Sequence, residues 1–221
     1  MDNHPIISLD NLKVHFPQNQ GFSKKMLKAV DGVTLDIFAG ETVGLVGESG
    51  CGKSTLGKAI VGLLDRTDGK ILFYGKDLKK LKRAEKKNYR KNVQMIFQDP
   101  AASLNPRLKV WQIVMEPLLK NAKMTTREKK ELVKQMVLTV GLSEDALYRY
   151  PHEFSGGQQQ RIGIARSLVL HPDFIVCDEA VSALDVSVQA QILNLLRQLK
   201  EDYKLTYLFI SHNLSVVKHM C

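Results

Sequence analysis

Two stretches of this chain carry the backbone chemistry of an anion site. Gly47-Glu48-Ser49-Gly50-Cys51-Gly52-Lys53-Ser54 has the spacing G-x-x-x-x-G-K-[ST], preceded by the apolar run ETVGLVG and followed by Thr55 and a helix-forming sequence. Its glycines let successive N–H groups converge on phosphate oxygens. Lys53 is the fixed cation for the β- and γ-phosphates, the Ser54 hydroxyl is placed for Mg²⁺, and Thr55 reaches the α-phosphate side. Cys51 contributes its N–H, not its sulfur. About a hundred residues later Ser155-Gly156-Gly157 precedes a second helical sequence, QQQRIGIARSLVL. The N-terminus of that helix aims a positive dipole at the same kind of ligand. One small chain thus offers two phosphate sites.

The apolar run FIVCD ends in adjacent carboxylates, Asp178-Glu179. Unpaired acids at the end of a buried strand are costly, so two together imply a use for them. Asp178 suits Mg²⁺ through its water shell. Glu179, one residue on, is placed to polarise an attacking water as general base, a role worth roughly 10²–10⁴ in rate. Gln98 follows VQMIF, and His212 follows TYLFIS. In an open parallel sheet the ligand crevice lies beyond the carboxyl ends of the strands, so positions 47, 98, 178 and 212 point to one edge.

Strands are expected over 6–16, 27–38 and 69–74, where β-branched and aromatic residues are broken by Gly, Asn and Asp turns. The runs 41–47, 93–97, 173–178 and 206–211 read as buried strands of a parallel sheet covered on both faces. Leu56, Ala59, Ile60 and Leu63 mark one helical face, and Ile192, Leu195, Leu196 and Leu199 another. Thr125 and Glu128 form a capping-box pattern, after which Val133, Met136, Val137 and Val140 repeat at helical spacing. The stretch from about 102 to 165 therefore reads as a helical lobe inserted into an α/β core, within one domain spanning 1–221.

The chain has 221 residues, 44% hydrophobic and 25% charged, the composition of an ordinary globular domain. The opening MDNHPIISLD has no basic start before an apolar run, and no segment approaches eighteen uninterrupted apolar residues. Cys51, Cys177 and Cys221 have no metal spacing, so a reduced, intracellular protein is expected. The net charge of +9 is concentrated at 76–91, KDLKKLKRAEKKNYRK, where nine basic and two acidic residues give +7. Tyr89 is the single aromatic there, too few for a single-strand groove, so the run reads as a solvated face with at most a weak attraction to anionic headgroups. No specific nucleic-acid partner is expected.

Together these residues resemble the ATP-binding cassette ATPases along the whole chain, and within them the ATPase subunits of bacterial oligopeptide and dipeptide importers. Phe154-Ser155-Gly156-Gly157-Gln158 corresponds to the L-S-G-G-Q signature, and FQDPAASLNPR and YPHEFSGGQQQRIGIAR are similar to the peptide-importer branch. CDEAVSALDVSVQAQIL resembles the Walker B segment followed by a D-loop at Ser182-Ala183-Leu184-Asp185. The resemblance implies a P-loop NTPase core with a mainly parallel sheet, an N-terminal antiparallel β subdomain and a helical subdomain. It implies ATP and Mg²⁺ as cofactors, Gln98 as a Q-loop sensing metal, water and the transmembrane partner, and His212 as the switch histidine on the γ-phosphate. It also answers why there are two phosphate sites. In this family two cassettes pair head to tail, so Ser155, Gly156, Gly157 and Gln158, with Asp185, complete the partner's ATP site.

The implied assembly adds a second cassette, homo- or heterodimeric, two transmembrane permease subunits and, indirectly, an extracytoplasmic substrate-binding protein. It places the chain at the cytoplasmic face of the inner membrane. The sequence departs from the wider family at Phe154, Gln159 and Ala180, none of which removes a catalytic group. Phe16 takes the place of the usual adenine-stacking tyrosine, with Phe22 as the alternative because 17–26 form an extra loop. Relatives continue well past the switch histidine, so a C-terminal truncation is expected. A nickel importer ATPase is the close rival for cargo. A soluble cassette ATPase acting on nucleic acid or the ribosome, and a nucleotide-binding module without turnover, are the rival classes. A single uninterrupted cassette disfavours the first of these, and intact Glu179 and His212 the second.

Overall fold

A computed structural model of the chain describes residues 4–20, 23–119 and 124–221. Four short apolar runs become a parallel sheet. They are β3 (Thr42–Val46), β6 (Val93–Ile96), β7 (Phe174–Asp178) and β8 (Thr206–Ser211), in the order β3-β8-β7-β6. Side chains alternate along each strand, and the alternation divides the core in two. Val93, Met95, Phe174, Val176, Leu208 and Ile210 face one apolar cluster. Ile96, Ile175, Cys177, Tyr207 and Phe209 face the other. Both faces are covered, which is why β7 and β8 are buried at every position and read as unbroken apolar runs.

The first cluster is closed by a second, antiparallel sheet. Its strands are β1 (Ile7–Gln20), β2 (Ser23–Ile37), β4 (Asp68–Phe73) and β5 (Lys76–Asp77), in the order β2-β1-β4-β5. The helix α1 (Lys53–Ile60) packs against β1, β2, β7 and β8, with Leu56, Ala59 and Ile60 buried between the two sheets.

On the other face the chain between β6 and β7 holds, among the described residues, helices and no strand. These are α3 (Pro100–Ser103), α4 (Val110–Met115), α5 (Thr126–Thr139) and α6 (Gly156–Leu168). The Thr125 hydroxyl accepts from the Glu128 N–H while the Glu128 carboxylate accepts from the Thr125 N–H, so the capping box starts α5. Val133, Met136 and Val137 of that helix, with Val140 at its C-cap, join Ile162 and Ala165 of α6 in the cluster that α7 (Val186–Tyr203) also enters through Ile192, Leu195, Leu196 and Leu199. The chain ends in α8 (Leu214–Met220), packed on β3 and β8.

Three expectations are corrected. Leu63 lies beyond the end of α1 and is 58% exposed, because Val61 and Gly62 close the helix before its next turn. The strands expected to stop at 16 and begin at 27 run on, pairing Pro17 with Met26 and Gln20 with Ser23. Their backbone groups are satisfied by the ladder whatever the side chains, so a polar sequence without alternation still extends the hairpin. The basic run is not wholly a solvated face. It contains β5 and the helix α2 (Arg83–Asn92), and Tyr89 of α2 is 4% exposed, with its hydroxyl donated to the Ile60 carbonyl. Tyr89 is a core anchor and has no ring face to offer a base.

Candidate nucleotide site

The parallel register aligns the strand ends. Val46 pairs with Ser211, Asp178 with Ile210, and Ile96 with Cys177, so the loops after β3, β6, β7 and β8 emerge at one edge. Gly47 to Gly52 connect β3 to α1 there, and the first turn of α1 has no side-chain cap, leaving its N–H groups to a ligand. Gly52 adopts φ +98°, and a Cβ there would fall 1.9 Å from the Ala29 carbonyl oxygen of β2. The position therefore excludes side chains twice over, by conformation and by contact with the antiparallel sheet.

Lys53 is buried, and its Nζ donates to the carbonyls of Gly47 and Glu48, both at 2.7 Å. The ammonium thus holds the loop's curvature by its own backbone. Ser54 Oγ donates to Asp178 Oδ1 at 2.8 Å across the gap between α1 and β7. Asp178 is 3% exposed, and burial pushes its carboxyl above the ordinary carboxylate value, with the Ser54 hydrogen bond and the nearby Lys58 opposing that rise. A hydroxyl and a buried carboxylate with no more than a neutral donor are hard oxygen ligands of the kind Mg²⁺ takes, so these residues fit the ion.

Beside them, Gln98 Nε2 donates to Glu179 Oε2 at 2.9 Å, and His212 Nδ1 lies 3.5 Å from the same oxygen. Glu179 has φ +45°, and its N–H donates to the Ile210 carbonyl at 3.0 Å. The turn out of β7 is thus tied to β8, which carries His212 just past its end. The positive φ was not legible from the sequence.

The raised Asp178 carboxyl has a stability consequence. A group whose folded pKa lies above its unfolded value contributes stability below the unfolded pKa, and that contribution is lost as pH rises through the folded pKa. At neutral pH the ligand-free protein therefore carries Asp178 as a cost. Asp178→Asn, which keeps an acceptor for Ser54, should raise the ligand-free Tm by about 2–4 °C, on the order of 1 kcal/mol. Mg-ATP should raise the Tm of the wild type further, and the same variant should lose that rise. Calorimetry with and without Mg-ATP measures both, and a lower ligand-free Tm contradicts the expectation.

The second glycine-rich stretch lies on different contacts. Ser155 caps α6: its hydroxyl accepts from the Gln158 N–H at 3.4 Å, and Gln158 Oε1 accepts from the Ser155 N–H at 3.0 Å. Ser155, Gly156 and Gln158 are exposed, while Gly157 is buried. A Cβ on Gly157 would meet Val188 Cγ1 of α7 at 2.3 Å, and one on Gly156 would meet Leu184 Cδ2 at 3.4 Å. The glycines thus serve close packing of α6 on the start of α7, a reason that pattern alone did not supply. Asp185 caps α7, accepting from the Val188 N–H at 3.0 Å and the Ser187 hydroxyl at 2.8 Å. The side-chain hydrogen bonds of Ser155, Gln158 and Asp185 are local, and none of them reaches Lys53 or Glu179.

Phe16 is half-buried, pairs with Leu27 of β2 and packs against the cluster between the two sheets. Phe22 lies outside the described residues. One residue with bearing on the site was overlooked in the sequence. Arg166 is half-buried on α6 at i+4 from the buried Ile162, and a cation at that helical spacing was the available signal.

The fold is α/β, a P-loop NTPase core with an added antiparallel sheet, and the edge of its parallel sheet gathers a phosphate loop and a carboxylate pair. Residues 30–182 match the ABC transporter family, and the chain belongs to that family. It is 53% identical over 221 residues to the oligopeptide transport ATP-binding protein OppF of Salmonella typhimurium, covering 97% of this chain and 66% of that protein. It is 52% identical over 219 residues to the oligopeptide transport ATP-binding protein AppF of Bacillus subtilis, covering 97% and 67%. The chain thus spans about two-thirds of the length of these curated relatives. Among solved structures, the dimeric post-hydrolysis state of the ATP-binding cassette MJ0796, bound to ADP and Pi, is similar with a TM-score of 0.83 at 29% identity. That match covers 96% of this chain and 90% of the other.

Proposed function

We propose that the chain is the ATP-binding and ATP-hydrolysing subunit of a bacterial importer of oligopeptides or dipeptides. The observation that carries the catalytic part is the convergence of Gln98 and His212 on Glu179, one residue beyond the Asp178–Ser54 hydrogen bond. In this reading Gly47 to Thr55 cradle the phosphates and Lys53 neutralises them. Ser54 and Asp178 hold Mg²⁺, directly and through its water shell, with Gln98 beside them. The ion supplies charge neutralisation at the β- and γ-phosphates. Glu179 accepts the proton of the attacking water, and Gln98 and His212 orient it. Phe16 offers a ring to the adenine.

The exposed Ser155, Gly156 and Gln158, with Asp185, serve the site of a second cassette. A dimer of this kind agrees with the dimeric cassette whose fold this chain shares. Residues of about 102–165 form the helical lobe of a single nucleotide-binding domain. Two permease subunits anchor the dimer at the cytoplasmic face of the membrane, and an extracytoplasmic binding protein reaches it only through them. Among the described residues no helix is long and apolar enough to cross a membrane. Peptide cargo is supported by relatives named for oligopeptide transport at 53% and 52% identity.

Lys53→Ala tests the nucleotide reading. The variant loses the loop's cation and two hydrogen bonds to its own backbone. At about 1.5–3 kcal/mol for a charge-assisted contact, affinity for a fluorescent ATP analogue should fall roughly ten- to a hundredfold. Unchanged affinity would overturn the assignment.

A further inference from the structure

Arg166 is a half-buried cation with no assigned role. It lies in the last turns of α6 and lines the same cavity as Ser54, Gln98 and Asp178. Its guanidinium stands over the Phe97 ring, 5.9 Å from the centroid, and its Nη1 donates to the Ser103 carbonyl at 2.5 Å. Phe97 immediately precedes Gln98, and Ser103 ends the short helix α3 that follows it. Between them the chain is tied locally: the Asp99 carboxylate accepts from the Ala102 N–H at 2.9 Å, and the Ser103 N–H donates to the Asp99 carbonyl at 3.1 Å. The next residue, Ser167, donates its hydroxyl to the Met95 carbonyl of β6 at 3.0 Å. The end of α6 thus grips the segment bearing Gln98 on both sides.

Burial is an expense for this group. It pulls the guanidinium's pKa down, and Glu116 offsets only part of that. An apolar side chain of similar volume would fill the space at lower cost, since buried ions are weak contributors to stability. A planar fork does what an aliphatic chain cannot: it stacks on a ring and bonds a carbonyl in a fixed relative geometry.

We propose that Arg166 is a positioning residue for hydrolysis: by clamping Phe97 and Ser103 it fixes the loop from which Gln98 reaches Glu179. The proposal rests on the ATPase reading above. Because Ser155 caps the start of α6, the same clamp ties the stretch offered to a partner cassette to the loop that orients this chain's own water. Misplacement of a reacting group by about 1 Å costs up to a hundredfold in rate, and Gln98 bonds Glu179 through a single contact.

The test uses Arg166→Met in the full-length ATPase assembled with its permeases. Expected are a kcat lowered ten- to a hundredfold, an ATP Kd within twofold of wild type, and only partial recovery in Arg166→Lys, which restores charge without the planar fork. Amide exchange over 97–103 should speed up while that over 47–55 stays unchanged. Phe97→Leu removes the ring alone and should move the same readouts in the same direction, which keeps the test alive if Arg166→Met misfolds. Wild-type kcat in both variants, full recovery by lysine, or unaltered exchange over 97–103 would overturn the proposal. Wild-type hydrolysis that Glu179→Gln abolishes, alongside an active Arg166→Met, leaves the ATPase reading standing and removes only the clamp.

Discussion

Glu179→Gln should bind Mg-ATP with near wild-type affinity and fail to turn it over. The amide has the volume of the carboxylate and keeps an oxygen to accept from Gln98 Nε2, which lies 2.9 Å from Glu179 Oε2. It keeps the backbone as well: glutamine bears the same cost as glutamate at φ +45°, and the N–H bond to Ile210 is indifferent to the side chain. What disappears is the carboxylate proposed to take a proton from water, an expected loss of about 10²–10⁴ in kcat. With binding intact and hydrolysis stopped, two cassettes closed around ATP should persist. Sizing chromatography of the full-length variant with Mg-ATP should show the dimer, while wild type returns to monomer as ATP is consumed. A variant that hydrolyses at the wild-type rate would remove Glu179 from its assigned role. One that no longer binds ATP would make the side chain a structural prop.

Ser155→Arg should leave ATP binding by the separate chain intact and abolish hydrolysis by the assembled dimer. Ser155 is exposed at the N-terminus of α6, where its hydroxyl and N–H bond locally with Gln158. Losing the cap costs about 0.5–2 kcal/mol of stability, which a thermal melt reads separately. Removing a positioned donor from an anion site and adding a bulky cation should cost about 10²–10³ in kcat. The trans arrangement adds a sharper expectation. A dimer of one Ser155→Arg chain with one Lys53→Ala chain has one site damaged twice and the other complete, so mixing two inactive proteins should restore part of the activity. Ser155→Arg that weakens ATP binding by a monomer would place the signature in its own chain's pocket, and an inactive mixture would contradict the shared-site dimer.

Much of this was legible because the interactions concerned are short in sequence. The phosphate loop is specified by glycines and a lysine within eight positions, since a loop that presents its own N–H groups needs particular residues at particular places. Thr125 and Glu128 are three apart and cap α5 as expected. The ends of the buried strands were visible as polar residues closing apolar runs, and alignment of those ends follows from parallel pairing. Asp178, Glu179, Gln98 and His212 could thus be placed on one edge before their contacts were known.

The remainder depended on partners distant in the chain. That Gln98 and His212 meet on one oxygen of Glu179 depends on a positive φ after β7 and a backbone bond to β8. Gly52 is excluded from bearing a side chain by Ala29, and Gly157 by Val188, neither of which is a sequence neighbour. The hairpin through Pro17 and Met26 forms from residues with no strand pattern, because a ladder satisfies backbone groups regardless of side chain. Tyr89 and Arg166, read locally, belong to a basic run and a glutamine-rich helix; packed, one anchors α2 beneath Ile60 and the other grips Phe97 and Ser103. Residue type and spacing were enough to determine the chemistry available to this chain, because phosphate, proton and metal chemistry is a property of local groups. Which groups act on one another was decided only by the packing of two sheets and a helical layer, because contacts between residues far apart in the chain exist only once the core has closed.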